Sequence, residues 1–473
     1  MVELVFLLPL LAGIIVLGLK KYWEFILLFT GLFHFLFTLI LWFKPQKPFF
    51  NSYFALTSEG LLVLLITSFL FLFISMYSIS YLKDVEIGNE QIFIGSMLLF
   101  LSAMSAVAVA DHIIVMWIAI EATTLASAPL IFIHKSKKSL EATWKYILIC
   151  SVGIALALLG SFLVALSMNI KGIDVPLSFT ELSNIATKLD KKWLKAAFVF
   201  ILVGYGTKMG LAPMHTWLPD AHSEAPSPAS ALLSGALLNC AYLAIFKTNK
   251  ILHLAGIGSF SDRILIVFGL ISIFIAATFA LKQSDYKRLL AYSSIENMGI
   301  IAFGTGIGGI AAYGAILHLI HHSLIKSSLF LTSGNILLAY GTKLIDKVGG
   351  AVRLLPKTFV SFFAGFIGIA GFPPFGIFIS EFFIIIGAFK KGYYVSVGIF
   401  IFSLIVIFAG FSRYLMKMSF DDFDYDIKVG EKITRIFPQY ALLLASLVLT
   451  FCNINYLNKT ILNAIAVFGG IHG

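Results

Sequence analysis

The chain has 473 residues, of which 59% are hydrophobic and 12% charged, with a formal net charge of +10. A mean hydropathy of +0.96 lies far outside the range of soluble domains and excludes an ordinary globular fold in water. The positive charge does not build a nucleic-acid face either, because the basic residues fall between apolar runs and not along one surface.

Apolar runs of spanning length recur about fourteen times. In chain order they lie near 2–19, 23–43, 60–82, 91–110, 112–133, 143–168, 194–217, 228–247, 264–281, 289–309, 311–340, 357–388, 394–416 and 437–457. No alternating ten-residue segments of a membrane barrel are present. The pattern predicts an all-α polytopic membrane protein. Residues 1–90 supply helices 1–3, 91–250 helices 4–8, 251–416 helices 9–13, and 417–473 a loop and helix 14.

Lys135, Lys137, Lys138, Lys282, Lys287, Arg288, Lys343, Lys347, Arg353 and Lys357 all follow odd-numbered spans, as do Lys20 and Lys21. Loops after even-numbered spans carry fewer, with Lys188, Lys191, Lys192 and Lys195 the main exception. The positive-inside rule then places odd loops in the cytoplasm of a prokaryotic cell and both termini outside. The start MVELVF has no basic segment, so a cleaved signal peptide is not expected.

Within the seventh span, VFILVGYGTKMGLAPMHTWLPDAHSEAPSP, Lys208 lies thirteen residues after Lys195 and twelve before Asp220. At helical rise that is roughly 18–20 Å from either polar end, beyond the reach of a lysine stem. Pro213 follows and must interrupt the helix. The twelfth span, FAGFIGIAGFPPFGIFISEFFIII, repeats the combination with Pro373, Pro374 and Glu381. Five helices separate the two, an odd offset that reverses direction, as in inverted five-helix repeats made of helices 4–8 and 9–13.

Further ionisable groups stand at comparable depth. Glu121 is ten residues from Asp111 and thirteen from His134. His318, His322 and Lys326 in AILHLIHHSLIKSSLFLTSGN share one helical face at spacing i, i+4, i+8, while His321 points elsewhere. Acids and bases strung along a membrane midplane supply what a proton wire needs, and intramembrane charges mark transport sites by default. Lys287 and Arg288, just after Asp285, read instead as a cytoplasmic anchor. The run Asp421, Asp422, Asp424, Asp426 lacks the glycine and terminal glutamate of a calcium loop and reads as a solvated loop or docking surface. Cys150, Cys240 and Cys452 are scattered singly, so no iron–sulfur, zinc or other metal site is expected in this chain.

The run KMGLAPMHTWLPDAHSEAPSPASALLSG from Lys208 to Gly235 resembles the signature of antiporter-like subunits. These are shared by respiratory complex I, multisubunit Na+/H+ antiporters and membrane-bound group 4 hydrogenases. IEATTL around Glu121, KRLLAYSSIENMG at 287–299, HHSLIKSSLFL at 321–331 and SEFF at 380–383 agree with it. The resemblance implies that Glu121 and Lys208 form the coupled pair of helices 5 and 7, Lys326 with its histidines the central relay, and Glu381 the end of the line. GYGTK, HSEAPSP, LLN and SIENMG are most similar to the F-type membrane component of hydrogenase-4 and formate hydrogenlyase complexes. That likeness implies proton or sodium translocation coupled to redox chemistry at nickel–iron and iron–sulfur centres in partner subunits, with this chain carrying no cofactor. The alternatives are a subunit of a dedicated Na+/H+ antiporter or of complex I, and an inactive scaffold. One departure favours the last: Asn239 stands in helix 8 where the family usually has lysine or histidine. The link between the two half-channels would then rest on water or on His318 and His322.

Overall fold

The computed structural model describes residues 2–19, 21–44, 53–85, 88–421, 429–452 and 454–469. Lys20, Asp422, Asp424 and Asp426 lie outside them. The helices, in chain order, are α1 (Leu4–Gly18), α2 (Trp23–Phe43), α3 (Ser58–Leu82), α4 (Glu90–Val109), α5 (Ile113–Phe132), α6 (Lys137–Asn169), α7 (Phe179–Ile185), α8 (Lys191–Met209), α9 (Trp217–Glu224) and α10 (Ser227–Leu232). They continue as α11 (Leu238–Leu254), α12 (Gly258–Ala280), α13 (Tyr286–Ile307), α14 (Ile310–Tyr340), α15 (Ala351–Leu354), α16 (Pro356–Ile369), α17 (Gly376–Lys390), α18 (Tyr394–Phe420), α19 (Ile433–Phe451) and α20 (Asn455–Ile465).

Among the described residues, ten helical segments are long and apolar enough to cross a membrane by themselves; α1, α13, α14 and the α16–α17 pair bring the spans to about fourteen. Polar residues start many of them. Asn89, Asp190 and Asp285 accept from first-turn amides of α4, α8 and α13, and Ser136 with Ser139 forms a capping box on α6. The short helices not expected from the sequence include α7, in the segment after the sixth span, and α20, after the last.

The spans α4, α5, α6, α8–α9 and α10–α11 form one group of five; α12, α13, α14, α16–α17 and α18 form the next. In each group the fourth span is the broken one. Because five is odd, the second group runs opposite to the first. Small residues set the closest crossings. A Cβ on Gly204 of α8 would lie 2.5 Å from the Gly153 carbonyl of α6, so the two backbones touch there.

The segments joining spans 5–6, 7–8, 9–10 and 11–12 meet at one end. There Lys138, Asp220, Glu224, Asp285, Arg288 and Lys343 line a polar cavity of about 610 Å³. Lys287 and Arg288, read as a cytoplasmic anchor, make contacts within the protein at this end. Lys287 is buried and donates to the Ala225 carbonyl, and Arg288 pairs with Asp220 at 2.5 Å. The opposite end is pinned by antiparallel bridges Phe54–Ala110 and His112–Ser178, and by the buried Lys247, which donates to the Ala110 carbonyl at 2.7 Å.

Candidate functional site

The first broken span stops at a glycine. Gly210 closes α8 in the left-handed region (φ +82°), three residues before Pro213, so Pro213 prevents resumption of the helix more than it ends it. Among the carbonyls released at the end of α8, that of Thr207 accepts from the Trp217 indole at 2.8 Å. Lys208, fully buried, therefore sits in the last turn of α8 beside the interruption.

Its ammonium donates to Thr124 Oγ1 at 2.9 Å and to Tyr146 OH at 2.6 Å. Glu121 is half-buried and accepts from Thr124 at 3.2 Å and from Ser151 at 3.0 Å. The expected Glu121–Lys208 pair is thus joined through the Thr124 hydroxyl and not by direct contact. A hydroxyl can accept from one partner and donate to another at the same time, as Thr124 does here.

The second broken span stops the same way. Gly371 (φ +71°) follows α16, Pro373 and Pro374 occupy the gap, and α17 begins at Gly376. Glu381 folds back over this gap, so close that a Cβ on Gly371 would collide with its Oε2. His321 Nε2 abuts Gly376 in the same way, while its Nδ1 bonds Ser446 of α19 at 2.9 Å, away from the face that carries His318, His322 and Lys326. Lys326 donates to Ser293 Oγ and to the Leu290 carbonyl, both on α13. His318 bridges Asn297 of α13 and Ser380 of α17, each at 2.9 Å.

Between the two clusters lies Asn239, which donates to Ser323 Oγ and to the Gly235 carbonyl, both at 2.8 Å. It follows a π-helical turn at Leu233–Leu237 that shifts the register of this span. Asn239 Oδ1 and both ring nitrogens of His322 and of His222 are buried without partners among the described residues. Polar atoms in such positions are normally satisfied by internal water. The structure therefore brings Glu121 to Lys208, and Lys326, His318 and Glu381 to a common region. His322 stands between these groups without a side-chain partner of its own.

Tyr146, Thr124, Ser293, Asn297, Ser380 and Glu296 are not among the residues that the sequence pattern picks out. The hydroxyls and amides carry no recognisable signal in an apolar helix. Glu296 does, since it is a carboxylate ten residues inside α13 and obeys the rule that selected Glu121.

Residues 110–407 match the family model described as NADH:quinone oxidoreductase/Mrp antiporter, TM. The chain belongs to this family. The hydrogenase-4 component F homolog of Methylacidiphilum infernorum (isolate V4) is 39% identical over 75% of this chain and 76% of its own length. Hydrogenase-4 component B of Escherichia coli (strain K12) is 30% identical over 73% of this chain, which spans about half (52%) of that relative. A subunit of the archaeal membrane-bound sulfane sulfur reductase, 21% identical, superposes with a TM-score of 0.89 over 99% of this chain and 98% of its own. The family and fold are those of antiporter-like subunits in prokaryotic membrane complexes.

Proposed function

We propose that this chain is the proton- or sodium-translocating antiporter-like subunit of a membrane-bound energy-converting oxidoreductase, a group 4 hydrogenase. Partner subunits would hold the nickel–iron and iron–sulfur centres on the cytoplasmic side, and further membrane subunits would flank this one. The reading rests on one observation: each five-span group carries a fully buried lysine, Lys208 or Lys326, hydrogen-bonded to hydroxyls and close to a carboxylate. A buried ammonium is costly in a merely structural role and useful where a proton is bound and released. Moving one charge through 100 mV takes about 2.3 kcal/mol, so an affinity swing of about two pH units in one relay group suffices.

In this scheme residues 91–250 and 251–416 are two half-channels, the ends of odd-numbered spans face the cytoplasm of the cell membrane, and the charged cavity is the uptake vestibule. Affinity purification of the complex from native membranes, followed by metal analysis and ion-uptake assays in inverted vesicles, tests the proposal. Co-purifying nickel and iron with turnover-driven acidification of the lumen is expected. A complex of small membrane proteins without metal would replace this reading with a dedicated cation/proton antiporter. Turnover without any ion movement would leave a scaffold.

A further inference from the structure

Glu296 is 4% exposed in the middle of α13, and its charged neighbours are Lys326 on α14 and Glu381 on α17. The residues around it fix this position. Ser293, three residues earlier and on the same helical face, receives the Lys326 ammonium. Asn297, the next residue, is bonded to His318, and His318 to Ser380, the neighbour of Glu381. One end of this stretch of α13 is therefore tied to Lys326, and the other, through His318, to the helix that carries Glu381.

Two carboxyls and one ammonium buried together are neutral overall when one proton is shared between the acids. An unbalanced charge in so dry a place is expensive, so the shared proton stays while its location can change. The first half offers a partial precedent, because Glu121 also lies on the second helix of its group and within one turn of the hydroxyl that meets the buried lysine. The order differs. Thr124 follows Glu121 by three residues, whereas Ser293 precedes Glu296 by three.

We propose that Glu296 is a proton-carrying residue of the second half, taking a proton from Lys326 and passing it to Glu381. Starting with the shared proton on Glu296, that O–H bond breaks and one forms on Glu381, leaving the Glu296 carboxylate. A Lys326 N–H bond then breaks and an O–H bond forms on Glu296, leaving a neutral amine and two carboxylic acids, and loss of the Glu381 proton to the exit with uptake of one by Lys326 restores the starting state. No electrons change hands and no co-reactant is needed. The assignment rests on the translocation reading above.

Glu296→Gln and Glu296→Asp, each in the intact complex, provide the test, with Lys208→Ala as reference and turnover-driven acidification of inverted vesicles as readout. Glu296→Gln, which keeps size and hydrogen bonding but cannot carry the proton, should slow acidification by at least about tenfold in an assembled complex. Glu296→Asp should recover part of it. Acidification by Glu296→Gln within about twofold of wild type, with Lys208→Ala stalled, would overturn the role of Glu296 and leave the broader reading standing. Wild-type rates in both would overturn the broader reading. Equal loss in assembled Gln and Asp variants would make Glu296 a packing element and also end the proposal. A carbonyl-stretch infrared band from a carboxylic acid that appears during turnover, and disappears in Glu296→Gln, would support it independently.

Discussion

Thr124 separates two groups that a helix-by-helix reading of the sequence would place in contact. Lys208 donates to its hydroxyl, and the same hydroxyl donates to Glu121. Lys208→Ala removes the cation, leaves Tyr146 OH and Thr124 without their donor, and should slow ion uptake by at least about tenfold in an assembled complex. Thr124→Val is the finer probe. It keeps the shape and deletes only the bridging hydroxyl, so uptake should fall by less than in Lys208→Ala while assembly is unchanged. Both are read as acidification rates in inverted vesicles, and a Thr124→Val loss equal to that of Lys208→Ala would mean that Glu121 has no other route. Glu121, Lys208, Lys326 and Glu381 were legible in the sequence because lysine and glutamate deep in apolar runs are rare, and Glu296, passed over, obeys the same rule. Thr124, Tyr146, Ser293 and Asn297 were not, since hydroxyls and amides are common in membrane helices and only the packing of α5, α6, α8, α13 and α14 shows which of them meet a charge.

At the scale of the element, the two broken spans share a design that the prolines only half reveal. Pro213 and the Pro373–Pro374 pair announce an interruption, yet the helices end earlier, at Gly210 and after Ile369, where a glycine with positive φ turns the chain. Such a glycine cannot be told from a packing glycine by pattern, whereas a proline has one reading. Gly371 links the break to the proposed relay, because a methyl group there would meet the Glu381 carboxylate. Gly371→Ala should therefore displace Glu381 and reduce uptake to near the level of Glu381→Gln, although no titratable group has been altered. Phe382→Leu, on the exposed side of the same helix, is the control and should leave uptake within about twofold of wild type. An active Gly371→Ala complex would mean that Glu381 works from a different rotamer. The short helices α7 and α20 escaped the sequence reading for a simpler reason. With 7 and 11 residues they are too brief for spanning length to reveal them.

For the whole molecule, about fourteen spans with alternating direction put every odd-numbered connection at one end, and the shared cavity lined from spans 5–6, 7–8, 9–10 and 11–12 agrees with that parity. The basic residues of those connections are only partly free. Lys145 and Arg288 both pair with Asp220, and Lys343 with Glu224, so in the proposed topology part of the charge that sets orientation also lines this cavity. The chain carries its own reporter of orientation. Cys150 and Cys240 are buried, whereas Cys452, just past the end of α19, is exposed. The last span ends on the side opposite the cavity, so the proposed topology puts Cys452 outside the cell. A membrane-impermeant maleimide should label Cys452 in spheroplasts and not in sealed inverted vesicles, and Cys452→Ser should abolish the signal. Thr342→Cys in that background, at the mouth of the cavity, should show the reverse preference. Labelling of both positions from the same side would break the alternation of spans. A clean exchange of sides would invert the protein in the membrane and put the Lys145–Asp220–Arg288 vestibule at the exit of the ion path.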